Sequence, residues 1–182
     1  GEERDASRIA KNIVKTRLNQ RITKVDQLVD IIKKTKRRSF VEKINPSTKT
    51  FQALRMFVNK EVSELIEGII NATKVLKPGG KILIISFHSI EDKIVKYFFS
   101  NYSSNRSKPS RYFPENNKED NLSLFDKYKN KIIKPSNIEI LKNYPSRSAK
   151  LRYAIRNKNE FFYPEELINK FRMYLDLEGK NV

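Results

Sequence analysis

A mixed α/β fold is predicted by three features of this 182-residue sequence. Apolar residues recur at helical spacing through most of residues 2–75. A continuous apolar run, Ile82 to Ile85, then follows a Pro-Gly-Gly break. Residues 149–156 alternate strictly between apolar and polar or small side chains.

The elements follow in order. Residues 2–18 read as a helix with Ile9, Ile13 and Val14 on one face and Arg4, Arg8, Lys11 and Lys15 largely away from it. Thr23 and Asp26 have capping-box spacing, which predicts a second helix burying Val25, Leu28, Val29 and Ile32. The basic run Lys33 to Arg38 closes it, with cations at the negative end of the helix dipole. Pro46 opens a third helix carrying Phe51, Leu54, Phe57 and Val58. Asn59 is placed to cap a fourth, with the stripe Val62, Leu65, Ile66, Ile69, Ile70 and Val75, ended by Lys77-Pro78-Gly79-Gly80.

The run Ile82 to Ile85 is β-branched except for Leu83, which predicts a strand buried on both faces. Ser89 and Asp92 repeat the capping-box spacing before a helix with Ile90, Ile94, Val95, Phe98 and Phe99. Residues 100–130 are polar, basic and poor in aliphatics, and predict a long mobile loop. Lys131 to Lys134 has the composition of a short strand, and Ser136 with Glu139 that of a short capped helix. In 149–156, Ala149, Leu151, Tyr153 and Ile155 face one way and Lys150, Arg152, Ala154 and Arg156 the other. Pro164 starts a last helix with Leu167, Ile168, Phe171 and Leu175. The predicted division is a helical segment 1–58, an α/β segment 59–160 and a C-terminal helix 161–182.

Composition narrows the function. The formal charge is +17, from 38 basic and 21 acidic side chains, and a surface that basic attracts polyanions, nucleic acid first among them. A general bias toward Lys, Asn and Ile accounts for part of that charge. With no cysteine, disulfides, thiolate metal sites and cysteine nucleophiles are excluded within the chain, and a single histidine argues against a metal site. No apolar run approaches the roughly 20 residues that span a bilayer. No membrane partner is expected, and a cytoplasmic location is. The chain opens on Gly1 inside a charged helical pattern, which reads as a fragment.

Ligands of open α/β sheets sit beyond the carboxyl ends of strands, and Ser86-Phe87-His88-Ser89 falls at such an end. His88 has two readings of equal weight. It hydrogen-bonds a base edge or assists proton removal, or it caps the next helix.

Several segments resemble one family. Asn45-Pro46-Ser47-Thr48-Lys49-Thr50-Phe51-Gln52-Ala53-Leu54-Arg55 looks like a signature of the MraW-type, or ribosomal RNA small-subunit methyltransferase H, family. Ser86 to Lys96 is similar to a second, Asn143 to Arg152 to a third, and Gly1-Glu2-Glu3-Arg4 followed by Arg8-Ile9-Ala10 to a fourth. The family usually has His-Pro-Ala at Asn45-Pro46-Ser47 and often Arg at Lys49.

The resemblance implies the C-terminal part of a class I, Rossmann-like methyltransferase sheet, its last three strands, together with the later part of an α-helical insertion domain. It implies S-adenosyl-L-methionine as methyl donor, 16S ribosomal RNA or the small ribosomal subunit as partner, and N4-methylation of a decoding-region cytidine. The family's glycine-rich cofactor loop precedes the Gly-Glu-Glu segment, so no cofactor-binding residue is expected here, and the chain alone is expected to be inactive. An exocyclic amine attacks a sulfonium methyl directly and needs no covalent nucleophile. The protein has to orient the base and exclude water, so Ser86, Phe87 and His88 are the candidate catalytic residues, as the wall of the base pocket. Arg147, Lys150 and Arg152, Lys49 and Arg55, and Arg106 and Arg111 with Lys108 and Tyr112 are the candidate RNA contacts. Arg147 and Arg152 also suit structural roles at a sheet edge or against carboxylates. The competing reading is a non-catalytic RNA-binding module. A small-molecule methyltransferase explains the strand but neither the charge nor the four segments.

Overall fold

The structure is a computed structural model that describes residues 2–36, 45–105 and 123–179. The chain divides into two compact units, Gly1–Glu61 and Val62–Val182.

The first unit is helical. Helix α1 (Ala6–Asn19) and α2 (Val25–Thr35) bury Ile9 and Ile32, and α3 (Thr48–Val58) buries Met56. Polar contacts join α1 to the end of α2. Arg8 Nη2 donates to the Thr35 carbonyl at 2.5 Å, and Asn12 Nδ2 to Thr35 Oγ1 at 2.8 Å. Lys36, just past α2, pairs with Glu3 at 2.6 Å and donates to the Pro46 carbonyl. The start of α2 departs from the predicted Thr23–Asp26 cap. Gln27 Oε1 accepts from the backbone N–H groups of Thr23 (2.8 Å) and Lys24 (3.0 Å), because its longer side chain reaches back one turn. Val25, expected to be buried, is exposed, as are Leu54, Phe57 and Val58 on α3.

The second unit begins in the first turn of α4 (Glu61–Val75), whose buried stripe is Val62, Ile66, Ile69, Ile70 and Thr73. Val75, expected in that stripe, is exposed, and Thr73 takes the buried position, its hydroxyl donating to the Ile69 carbonyl at 2.7 Å. Asn59 does not cap this helix. The Glu178 carboxylate does, accepting from the N–H groups of Val62 (3.1 Å) and Ser63 (2.7 Å) and from Ser63 Oγ (2.7 Å). A buried anion at the positive end of the helix ties the last helix, α7 (Glu165–Gly179), to the first of this unit.

The Pro-Gly-Gly turn leads into strand β1 (Lys81–Ser86) as predicted. Gly79 sits at φ 81°, a left-handed conformation that favours glycine, and its N–H donates to the Arg156 carbonyl at 2.8 Å. Strand β1 pairs antiparallel with β2 (Lys150–Ile155), from Lys81 opposite Ile155 to Ser86 opposite Lys150. The expected third strand is reduced to one bridge, Ile133 to Leu151. Asn130 at φ 47° and Pro135 interrupt extended backbone on either side of it.

The sheet corrects one expectation. β1 is buried on one face only: Ile82 and Ser86 are covered, whereas Leu83 and Ile85 are each 59% exposed. The alternation in β2 is as expected, with Arg152 and Ala154 together on the buried face and Tyr153 on the open one. The arginine side turns inward because helix α5 (Ser89–Asn101) packs on it and supplies an anionic partner. Among the described residues no element covers the opposite face.

Behind α5 lies an aromatic core. Phe98 and Phe99 meet Phe125 edge-on, both at 5.3 Å between centroids, with Tyr102 and Tyr128 against them. Leu124 and Phe125 are fully buried and Tyr128 nearly so. The end of the segment read as a mobile loop is therefore core, and 106–122 lie outside the described residues. Helix α6 (Asn137–Lys142) is capped by Ser136 Oγ, as expected. α7 buries Leu167 and Phe171 and packs on α5, so residues 161–182 belong to this unit. No helix among the described residues is long and apolar enough to cross a membrane.

Candidate functional site

The carboxyl end of β1 turns through Phe87 and His88 into α5. His88 is the cap residue, in extended conformation (φ −134°, ψ 167°), and its Nδ1 accepts from the Glu91 N–H at 3.4 Å. Glu91 answers by accepting from the N–H groups of Phe87 (2.8 Å) and His88 (3.3 Å), while its second oxygen lies 3.2 Å from His88 Nε2. An accepting Nδ1 fits the tautomer with the proton on Nε2, the nitrogen nearer the Glu91 carboxylate. Burial pushes the Glu91 carboxyl up most strongly, but the hydrogen bonds from His88 and Phe87 outweigh it and leave the group below its ordinary value. The capping pair is thus His88 with Glu91 rather than Ser89 with Asp92.

That leaves Asp92 for another task. Its carboxylate meets Arg152 in a fork, Oδ1 to Nε at 2.7 Å and Oδ2 to Nη2 at 3.2 Å, and Lys150 Nζ adds a contact at 3.2 Å. Arg152 Nη1 donates further to the Tyr128 hydroxyl and to Asn130 Oδ1, both at 2.9 Å. Burial disfavours the Asp92 charge, yet the two cations hold its carboxyl below the usual range. Burial lowers Arg152 as well, and its bonds to Asp92 and Tyr128 more than compensate. Spacing singled out Asp92 only as a helix cap with Ser89, and nothing singled out Tyr128. The one available signal was a second cation, Arg152, on the same strand face as Lys150.

The structure brings Ser86, Phe87 and His88 to one turn but points them differently. Ser86 is buried, with Oγ 3.4 Å from the Lys150 carbonyl. Phe87 is 55% exposed. His88 is held in the cap.

The candidate RNA contacts separate by burial. Arg152 is 2% exposed, and four of its donor bonds are made inside the protein. Lys150 is half-buried on Asp92. Arg147 lies exposed, its guanidinium 4.2 Å from the Tyr144 ring centre. In the first unit, Lys49 is exposed and donates to the Glu2 carbonyl at 3.4 Å, and Arg55 is forked onto Glu61 at 2.7 and 2.9 Å. Arg106, Arg111, Lys108 and Tyr112 lie outside the described residues. A buried arginine missed in the sequence, Arg156, donates to the carbonyls of Leu124 (3.0 Å) and Asn159 (2.7 Å), and burial lowers its pKa.

The residues at this strand end do not form a cradle for S-adenosyl-L-methionine. Gly68 lies within α4, Gly79 and Gly80 lie at the opposite end of β1, and Gly179 ends α7. Both nearby carboxylates, Glu91 and Asp92, are already engaged by protein donors. A ribose needs a free acceptor and a close-approaching backbone, and the described part of this end offers neither.

Residues 1–157 match the MraW methylase family. Three relatives carry the name ribosomal RNA small subunit methyltransferase H. The one from Ehrlichia chaffeensis is 42% identical over 156 residues, covering 86% of this chain and 49% of that protein. The one from Jannaschia sp. is 44% identical over 156 residues, covering 86% and 47%. The one from Bartonella henselae is 41% identical over 179 residues, covering 98% and 51%. The chain therefore spans about half the length of these relatives. On the extent of that match, the chain belongs to the MraW methylase family.

Proposed function

We propose that this chain is the part of a ribosomal RNA methyltransferase that holds the target base, a decoding-region cytidine of 16S ribosomal RNA methylated on N4. The reading is supported by the relatives' names and by one feature of the site. Phe87 stands 55% exposed at the carboxyl end of β1, on a turn locked by the reciprocal His88–Glu91 cap. A base taken out of its stack needs an apolar face held at fixed height, and a capped strand-to-helix turn holds one.

The proposed division of labour is as follows. Phe87 stacks on the extruded base. His88 and Glu91 are positioning residues that fix the turn. Lys150, Arg147, Lys49 and Arg55 supply cations for phosphates, which position the RNA without reading its sequence. Arg152 acts from inside, by holding Asp92 and with it the first turn of α5. The methyl donor in this reading is S-adenosyl-L-methionine.

The test is nucleoside mass spectrometry of 16S ribosomal RNA from source cells lacking the gene, complemented with the wild-type gene or with Phe87→Ala. N4-methylcytidine is expected to vanish on deletion, to return with the wild-type gene, and to fall at least tenfold short with Phe87→Ala. A profile unchanged by deletion sinks the methylation reading. The competing reading is then an RNA-binding module without catalysis.

A further inference from the structure

We infer that Tyr144, with Arg147 stacked on it, is a platform on which an unpaired RNA base stacks beside the Phe87 turn. That the RNA is ribosomal rests on the function proposed above; the platform itself rests on geometry.

Residues Tyr144–Ser148 form a 3-10 turn, with Pro145 near its start and Ser146 buried beneath it. The Ser146 N–H donates to the Asn143 carbonyl at 2.9 Å, and the Ala149 N–H to the Ser146 carbonyl at 2.8 Å, so the turn is held at both ends. The Arg147 guanidinium lies 4.2 Å from the Tyr144 ring centre, and its Nη1 donates to the Tyr144 carbonyl at 3.3 Å. Ring and guanidinium are thus parked together before any ligand arrives. Tyr144 nevertheless remains 65% exposed. A cation–π pair that served the fold alone gains strength when desolvated, and this one is left in water.

Its position gives the pair a use. Lys150, three residues after Arg147, is registered opposite Ser86, the residue before Phe87. The 3-10 turn leads directly into β2 at Lys150, six residues or at most about 20 Å of chain after Tyr144, so Tyr144 and Phe87 both flank the same end of the sheet. Flat aromatic and guanidinium surfaces beside cations are the recognition chemistry of unpaired nucleotides, with bases stacking on π-faces and phosphates meeting the charges. The chain's charge of +17 suits the same partner. The nucleotide on Tyr144 would be a neighbour of the one on Phe87, held while its neighbour is presented.

The test titrates the 182-residue chain with two probes, a short single-stranded RNA of mixed sequence and the same backbone carrying abasic sites. Tyr144→Ala is expected to weaken binding of the base-bearing RNA about 5- to 100-fold, with little effect on the abasic strand. Tyr144→Phe is expected to retain affinity. Arg147→Ala is expected to lower the slope of log K against log salt by about 0.7, whereas Tyr144→Ala leaves that slope unchanged. Thermal melting of each variant confirms that these exposed changes leave the fold intact. Equal weakening on both probes, no weakening, or no binding by the wild-type chain each overturns the platform. The outcome is separable from the methylation test: base-dependent loss with an unchanged 16S profile leaves the platform standing and the methylation reading fallen, and the reverse pattern does the opposite.

Discussion

The Arg152 guanidinium forks onto the Asp92 carboxylate across the interface of β2 and α5, Nε to Oδ1 at 2.7 Å, with side chains 3% and 13% exposed. Such a pair is costly to break from one side, because the survivor is left charged and buried. Asp92→Ala and Arg152→Met are each expected to destabilise the second unit by about 3–5 kcal/mol. The double variant is expected to cost less than the two changes summed. Urea denaturation of the three variants measures both quantities, and simple additivity would show that the pair is not coupled.

The same pair sets an acid response. Asp92 titrates below its unfolded-state value, so it binds its proton more weakly in the folded protein. Its contribution is present above the unfolded pKa of about 3.9 and is lost as pH falls through the lower folded value. Glu91, also lowered, acts in the same direction. Asp92→Asn is therefore expected to be less stable than the wild type at neutral pH and to lose less stability on acidification below about pH 4. Denaturation midpoints measured down that range should converge; parallel curves would remove Asp92 as the source.

Glu178 caps α4 from a distance of 116 residues in sequence. Charge-assisted bonds to two helix N–H groups and a hydroxyl are expected to contribute about 1.5–3 kcal/mol. Glu178→Ala should cost that much, and hydrogen exchange at Val62 and Ser63 should accelerate. Unchanged protection at those two amides would count against the cap.

Much of the fold was legible and the polar connections were not. Period and breakers located α1, α4, β1, α6, β2 and α7, because burial stripes and Pro or Gly stops are local. Caps were harder. Thr23–Asp26 and Ser89–Asp92 had the right spacing, yet Gln27 and the His88–Glu91 pair took the backbone donors. Several side chains near a helix start compete for the same N–H groups, and the tertiary environment decides: Asp92 was drawn away by Arg152. The burial of the Arg152 face of β2 has the same origin. In sequence Arg152 suits either an RNA contact or a structural role against carboxylates, and the choice falls to the second because a carboxylate, a phenol and an amide converge on it from three separate segments. At the site, the sequence located the strand end at Ser86–Phe87–His88 but gave no sign that the three side chains diverge.

The one-sided burial of β1 predicts a contrast between neighbours. Ile82 is 8% exposed and Leu83 is 59% exposed, on opposite faces of one strand. Ile82→Ala is expected to cost about 2–4 kcal/mol, and Leu83→Ala less than about 1 kcal/mol. Guanidinium denaturation of the two variants reads the difference directly. Equal losses would mean that the Leu83 face is covered in solution.

Burial also sorts the cations by what their loss does to RNA binding. Arg147 and Lys49 are exposed, so replacing either with Ala is expected to lower the salt slope of binding to single-stranded RNA by about 0.7 while leaving stability within about 0.5 kcal/mol. Arg152 is 2% exposed, and its donors are directed to Asp92, Tyr128 and Asn130, so it has little to offer a phosphate. Arg152→Lys keeps the charge and loses the fork. It is expected to reduce stability and to leave the salt slope of the remaining folded protein unchanged. Titrations at several salt concentrations, paired with denaturation curves, separate the two behaviours. A drop in slope for Arg152→Lys at full stability would place its charge on the RNA instead of inside the protein.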